Sequence, residues 1–434
     1  MEFKQYPSYK KSGVEWLGGV PEHWVGSKFK YIFQEKQHTK NMNLPFGAIS
    51  FGSVVYKEDK ANLTDELKEN YQEVLQGEFL VNPLNLNYDL KSLRTALSKI
   101  DVVVSSGYFV LKLKNNTFNK RYLEYLLYIF DIRKMKTLGA GIRQTLTFRD
   151  MAVCDVAIPS ACEQTQIASF LDYETFRIDN LIAKQEKLIE LLEEQRKSII
   201  SHAVTKGLNP NAPMKDSGVE WLGEVPEHWM TPSSKHLLEI PITDGPHETP
   251  NFVDDGVPFI SAEAISKGKI DFDKKRGYIT PELNAIYSKK YSPKIEDIYM
   301  VKSGATTGKV AMVETAEEFN IWSPLAVFRC NKNKVLPKFL LAVFNSSHFY
   351  DALVLNWSYG TQQNIGMGVL SNIEIPCPPL KEQAEIIQHL DAQNTKFDKL
   401  ISTQSQLIEK LKEYRSSIIS HAVTGKIDVR EFGA

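Results

Sequence analysis

The sequence predicts an α+β chain: two mixed α/β domains separated by two long antiparallel coiled-coil helices, with internal pseudo-two-fold symmetry. Two duplications and one contrast predict it. Glu163-Gln-Thr-Gln-Ile-Ala, a long amphipathic run and Ser198-Ile-Ile-Ser-His-Ala-Val-Thr205 recur as Glu382-Gln-Ala-Glu-Ile-Ile, a run of equal length and Ser417-Ile-Ile-Ser-His-Ala-Val-Thr424. Ser12-Gly-Val-Glu-Trp-Leu-Gly-Gly-Val-Pro-Glu-His-Trp24 recurs as Ser217-Gly-Val-Glu-Trp-Leu-Gly-Glu-Val-Pro-Glu-His-Trp229. By contrast, Val25–Cys162 and Met230–Lys381 share almost no sequence. Two similar frames therefore hold two dissimilar inserts.

The helices follow from heptad spacing. Ile167, Leu171, Ile178, Leu181, Leu188, Leu192 and Ile199 alternate at four and three residues, with Glu174, Gln185 and Gln195 in the gaps. Ile386, Leu390, Phe397, Leu400, Leu407, Leu411 and Ile418 keep the same register, with Gln393, Gln404 and Tyr414 between them. A 3.5-residue period keeps one apolar seam turned to a partner helix. Each helix is expected to run about 40 residues, roughly 60 Å. Gly207 and Gly425 supply the stops that helix C-termini favour.

A chain of 434 residues exceeds a single core and divides into at least two globular parts. No apolar run reaches the length of a membrane span and the N-terminus is polar, so the expected location is cytoplasmic. Cys154, Cys162, Cys330 and Cys377 lack metal-ligand spacing and read as reduced thiols. Net charge is −1, but its distribution is uneven. The first insert is rich in Lys and Arg, including Lys91, Arg94, Arg143 and Arg149, while the first long helix carries Glu186, Glu190, Glu193 and Glu194. Segregation of this kind fits basic clefts on the inserts and a solvated coil.

Both inserts run through the same order of elements. In the first, strands are expected at Gly47–Tyr56, Glu78–Val81, Val102–Val104 and Tyr108–Leu113. A helix at Lys120–Lys136 follows, then the turn Gly139-Ala-Gly-Ile-Arg-Gln-Thr145 and a strand at Ala152–Ile158. In the second, strands are expected at Pro258–Ile260, Asp297–Val301, Lys309–Val313 and Leu325–Arg329. A helix at Lys338–Leu355 follows, then the turn Tyr359-Gly-Thr-Gln-Gln-Asn-Ile365 and a strand at Ile373–Ile375. The expected domain bounds are 1–160 (with a docking segment at 1–24), the helix 161–206, then 207–378, and the helix 379–434. The link Lys206–Asp216 joins the halves.

Catalytic signatures are missing. Gly304-Ala-Thr-Thr-Gly-Lys309 has three residues between its glycines and Val310 after the lysine, where a phosphate loop needs four and then Ser or Thr. It reads better as a tight loop whose amides and Lys309 approach a DNA phosphate or groove. His23, His228, His202 and His421 occupy equivalent places in the two frames, which favours structural roles. No zinc-protease, nucleophile-elbow, dinucleotide or amino-methyltransferase motif occurs. The chain is expected to be non-catalytic, with no metal site.

Trp16-Leu-Gly, Val20-Pro-Glu-His-Trp24, their copies at Trp221 and Val225–Trp229, and the Glu-Gln pairs closing Pro159–Gln164 and Pro379–Gln383 carry a family resemblance. Their order and duplication resemble the specificity subunit of a Type I restriction–modification system over essentially the whole chain. The resemblance implies that each insert is a target recognition domain reading half of a bipartite, asymmetric double-stranded DNA sequence. It also implies two methyltransferase subunits bound by the repeated helices, together with restriction subunits. S-adenosylmethionine, ATP and Mg would belong to those partners and not to this chain.

Sequence is read at base edges, by amides on adenine and Arg or Lys on guanine, while phosphate contacts set register. The candidates are Lys91, Arg94, Arg143 and Gln144 in the first insert. In the second they are His247, Lys302, Thr306, Thr307, Lys309, Gln362, Gln363 and Asn364. Some of the Gln and Thr side chains could instead close their own turns. A coiled-coil scaffold with protein-binding inserts is the alternative reading. Finally, the phase of the repeats places Trp16–Trp24 beside the end of the second helix at Thr424.

Overall fold

The computed structural model describes residues 3–57, 68–84, 93–138, 145–266, 268–356, 358–359 and 363–432. The chain divides into two compact units, Met1–Gln185 with Gln406–Ala434, and Glu186–Ser405.

In the first unit a four-stranded antiparallel sheet is built from β1 (Phe33–Glu35), β4 (Phe79–Val81), β5 (Thr95–Leu97) and β6 (Phe109–Leu113). Its order is β1-β6-β4-β5. A hairpin of β2 (Gly47–Ser50) and β3 (Ser53–Tyr56) stands beside it. Helix α1 (Lys120–Arg133) starts because the Asn119 side chain accepts from the Tyr122 amide. It buries Tyr122, Leu123, Leu126, Ile129 and Phe130, and this core continues into Ile167, Leu171 and Ile178 of α2 (Ala161–Lys206).

The second unit repeats that sheet. Strands β7 (Thr243–Asp244), β8 (Ile298–Val301), β9 (Val310–Met312) and β10 (Leu325–Phe328) lie antiparallel in the order β7-β10-β8-β9. The registers also correspond: Leu111 faces Phe79 as Phe328 faces Ile298. One residue beyond, Lys112 meets Glu78 at 3.2 Å and Arg329 meets Asp297 at 2.7 Å. Dissimilar sequences thus build one topology: most of these strands are apolar and buried at every position, so apolar character and pairing register, and not residue identity, set the sheet. Burial pushes the thiols of Cys330, to about 12, and Cys377 upward, which fits inert core cysteines.

The repeated residues hold each insert to its long helix. In the first unit Glu163 accepts from Trp24 Nε1 at 3.0 Å and Tyr6 OH at 2.6 Å, and lies 2.9 Å from His23 Nε2. In the second unit Glu382 accepts from Trp229 Nε1 at 3.1 Å and lies 2.8 Å from His228 Nε2, at the start of α5 (Leu380–Val423). The neighbouring glutamines repeat as well. Gln164 Oε1 accepts the Asn119 amide and Gln383 Oε1 the Leu336 amide, the N-cap residues of α1 and of α3 (Pro337–Phe344). The histidines of the Glu-His-Trp repeats therefore hold structural places.

The long helices are 46 and 44 residues, somewhat longer than expected. Within the first unit they run antiparallel, since Gln166 reaches the Arg430 carbonyl while Arg415 pairs with Asp179. In the second unit Arg196 pairs with Asp398, and Ala203 and Val204 share a core with Ile386 and Leu390. The seam is uneven. Ile167, Leu171, Ile178, Ile386, Leu390, Phe397 and Ile418 are buried, and Leu192, Ile199 and Leu411 partly so. Leu181, Leu188, Leu400 and Leu407 stay 39–45% exposed. A lone helix pair covers its seam from one side, whereas toward the helix ends the inserts add a second cover.

Four local expectations are corrected. The helix expected at Lys338–Leu355 is two, α3 and α4 (Ser347–Leu355), because Ser346 caps a new helix through the Phe349 amide. The strand expected from Ala152 begins at Asp155, because a Thr147–Asp150 capping box starts a short helix at Phe148–Ala152. Gly47–Tyr56 is the hairpin β2–β3, since Phe51 and Gly52 turn the chain. Ile373–Ile375 forms only isolated bridges nearby, Ser233 with Glu374 and Met230 with Cys377.

The chain ends of the first unit meet as the repeat phase requires. Trp16 and Trp24 share a core with Ala422 and Val423, and Arg133 donates to both the Trp16 carbonyl and Ser420. Among the described residues no helix is long and apolar enough to cross a membrane.

Candidate nucleic-acid interface

Most of the candidate residues fall on two loops of each unit, and matching backbone hydrogen bonds hold those loops. The first loop joins the inner strand to the edge strand of the sheet. Its neck closes where the Asn82 amide donates to Arg94 O at 2.7 Å, and where the Val301 amide donates to Lys309 O at 2.8 Å. Sheet register makes Asn82 and Val301 equivalent, so Arg94 and Lys309 are equivalent too. The second loop follows the helices and returns to the first. The Leu146 amide donates to Pro83 O at 3.1 Å, and the Ile365 amide to Lys302 O at 2.8 Å. Pro83 and Lys302 are again equivalent positions by sheet register. The residues that close the two Gly-rich segments, Leu146 and Ile365, are thereby tied to the residues that open the two loops, Pro83 and Lys302.

In the second unit the loop Lys302–Lys309 turns on Gly304 and Gly308, at φ 103° and 89°. Thr307 is buried and its hydroxyl donates to Gly304 O at 2.7 Å, so it closes its own turn. Thr306 accepts the Lys309 amide at its carbonyl and is half-buried, whereas Lys309 is exposed. Asn364, also exposed, bridges to Ser303, and Gln363 pairs with Tyr359 in a short ladder.

Asp244, at the end of β7, gathers the surrounding cations. Its carboxylate lies 2.6 Å from Lys290, 3.3 Å from Lys302 and 3.1 Å from His247. Burial alone would raise the Asp244 pKa, but the hydrogen bond and charge of Lys290, with those of Lys302, hold it below its ordinary value. The Lys302 ammonium is largely buried and committed to this carboxylate, while the His247 ring and half of Lys290 face solvent. Two lysines on one carboxylate leave an excess of positive charge, the condition for holding a phosphate. The backbone here tolerates only glycine at 245, where a Cβ would stand 2.0 Å from the Ile321 carbonyl oxygen.

In the first unit the equivalent loop is tied from beneath. Arg94 is only 9% exposed; its guanidinium donates to Leu84 O at 3.1 Å and its amide donates to Asp131 of α1. Burial pushes the Asp131 carboxyl up to about 6, against the opposing amides of Arg94 and Thr95 and the charges of Lys136 and Arg94. Arg94 thus anchors the loop from inside. Lys91, Arg143, Gln144 and Gln362 lie outside the described residues.

Sequence reasoning missed Asp244, Lys290 and Asp131. Each is a single charged residue of an unrepeated insert, and no repeat or motif marks Lys290 or Asp131. The Asp-Gly-Pro-His loop was the available signal for Asp244. Among the described residues no group of three or more His, Cys, Asp or Glu could hold a metal ion.

Paired loops on twin sheets, each set on a long helix, define a modular reader of a polyanion. Residues 22–194 and 226–413 match the family described as the Type I restriction modification DNA specificity domain, and the chain belongs to that family. It is 26% identical to the Type I restriction enzyme MjaVIII specificity subunit of Methanocaldococcus jannaschii, over 97% of each chain. A putative MjaX specificity subunit of the same organism is 24% identical over 99% of each. A solved chain from work on complex assembly and conformational transition of the type I restriction–modification system shares the fold. Its TM-score is 0.63 at 16% identity, covering 93% of this chain and 98% of that one.

Proposed function

We propose that this chain reads a bipartite, asymmetric DNA target, with one half taken by each unit, and directs partner subunits to it. It is a non-catalytic specificity subunit. Residues 1–160 and 207–378 act as target recognition domains, and the helices 161–206 and 379–434 join them and carry two methyltransferase subunits. Restriction subunits complete the assembly; S-adenosylmethionine, ATP and Mg are handled by these partners. The reading rests on one observation above all. The same two backbone anchors, Leu146 to Pro83 and Ile365 to Lys302, present unrelated side chains in the two units. A constant frame with variable tips is what reading two different half-sites requires.

Of the candidate contacts, Lys309, His247 and Asn364 reach solvent, and Lys290 joins them as a phosphate ligand. Lys302, Thr307 and Arg94 position these loops from within. Exchange of residues 25–160 for a relative's insert, followed by methylome sequencing of an expressing host, tests the reading. One half of the methylated sequence should change and the other stay. A change in both halves, or in neither, overturns it.

A further inference from the structure

The hairpin β2–β3 ends in a side chain that the first unit itself does not use. Ser50 pairs with Ser53, leaving a two-residue turn of Phe51 and Gly52, both left-handed at φ 47° and 75°. Such turns favour Asn-Gly, because an aromatic residue is strained at positive φ. Phe51 is nevertheless there, and it is 98% exposed. Strain combined with full exposure of a large apolar ring points to a role outside the folded unit.

The hairpin is rigid and well aimed. Val54 of its stem is buried with Leu80 of β4 and Ala96 of β5. A Cβ on Gly52 would stand 2.7 Å from Leu93 Cδ1, so the turn sits directly on the residue before Arg94. Phe51 therefore projects beside the very loop whose neck closes at Arg94. In the hairpin itself the turn is flanked by serines. Among the described residues of the hairpin, the next exposed apolar ones, Val55 and Tyr56, lie back along the stem, Val55 roughly 10 Å away at strand rise. A single ring on a narrow, stiff tip has the shape of a wedge and not of a protein-binding patch. Among the described residues of the second unit, no aromatic residue has positive φ. Its loop phenylalanine, Phe252, folds back over Gly277.

We propose that Phe51 is a wedge that inserts between stacked bases of the half-site read by the first unit, so that this half is recognised partly through the ease of unstacking one base step. The proposal rests on the DNA-reading function above. It predicts a preference for a flexible pyrimidine–purine step in one half-site only.

The test uses the full chain and a duplex selected by it from a random-sequence library, with 2-aminopurine walked through both half-sites. The wild-type chain should raise fluorescence at one step of one half-site. Phe51→Ser should abolish that rise and weaken binding about tenfold, as for loss of one base-stacking contact. Phe51→Trp should keep both. Phe51→Ser is expected to melt like the wild type, and Phe51→Asn, which suits the turn, at least as high. No rise at any step, or a rise unchanged in Phe51→Ser, overturns the wedge. So does a Phe51→Ser variant that reads DNA normally but captures less methyltransferase subunit, which would make the tip a protein contact. A library that yields no shared sequence would instead overturn the DNA-reading function itself.

Discussion

The first unit holds its basic loop from beneath and the second from its rim. In the first, Asp131 and Arg94 are buried under the loop, and an exposed phenylalanine stands beside it. In the second, Asp244 lies at the edge and gathers Lys290, Lys302 and His247 around itself. The four-stranded sheets, their registers and the loop anchors correspond in the two units. The loop anchors, unlike the Glu-Trp contacts of the frame, use only backbone amides and carbonyls, which nearly every residue supplies. The side chains on the loops are thereby free to diverge, and the two units can read unlike sequences from one architecture.

The two units should differ most in stability at the shared carboxylates. Glu163→Ala leaves the buried Trp24 indole and Tyr6 hydroxyl without an acceptor, and should cost about 3 kcal/mol in denaturant unfolding. Glu382→Ala removes two contacts from a more exposed carboxylate, and should cost about 1–2 kcal/mol. Equal costs would mean that the extra tyrosine contributes nothing.

A pH series sharpens the contrast between the loops. The folded-state pKa of Asp131 lies above its ordinary value of 3.8, at about 6. The fold therefore favours the protonated carboxyl. Its contribution is present below about pH 4 and lost as pH rises through about 6, a swing of about 3 kcal/mol. Hydrogen exchange at Thr95–Leu97 should accelerate beyond its intrinsic pH dependence across that window. Asp131→Asn should flatten the response, and Val310–Met312 in the second unit should show none of it.

The helix stops should differ in degree. Gly425→Ala forces a left-handed alanine with its Cβ 2.3 Å from Pro21 Cδ, whereas at Gly207 the nearest atom is at 3.2 Å. Thermal unfolding should report a loss of about 2 kcal/mol for the first and about 1 kcal/mol for the second. The smallest effect is expected on the helix surface. Arg415→Ala removes an exposed pair with Asp179 and should cost under about 0.5 kcal/mol. A loss above about 1 kcal/mol would mark that seam as stronger than its exposed leucines suggest.

Repetition made the frame legible. The Glu-Gln pairs, the His-Trp pairs and the terminal glycines each found the same partners twice. The heptads located both helices, because a 3.5-residue period has few other structural readings. The inserts were legible only in outline. Ser346 and Thr147 redirected the chain through single side-chain caps, a local competition that apolar periodicity does not register. The candidate loops were found by their glycines and polar tips, but not which side chains face outward. Arg94 and Thr307 carry the composition of contact residues and serve their own loops.

By itself, then, the sequence determined the duplicated frame, the paired helices, the two-insert plan and the family. Each of these rests on pattern along the chain. Only the tertiary structure decided that each insert carries the same four-stranded sheet, that Pro83 and Lys302 are equivalent anchors, and that Asp131 lies beneath one loop and Asp244 at the edge of the other. Those facts depend on residues tens of positions apart meeting through strand register and burial, and neither leaves a trace in local composition.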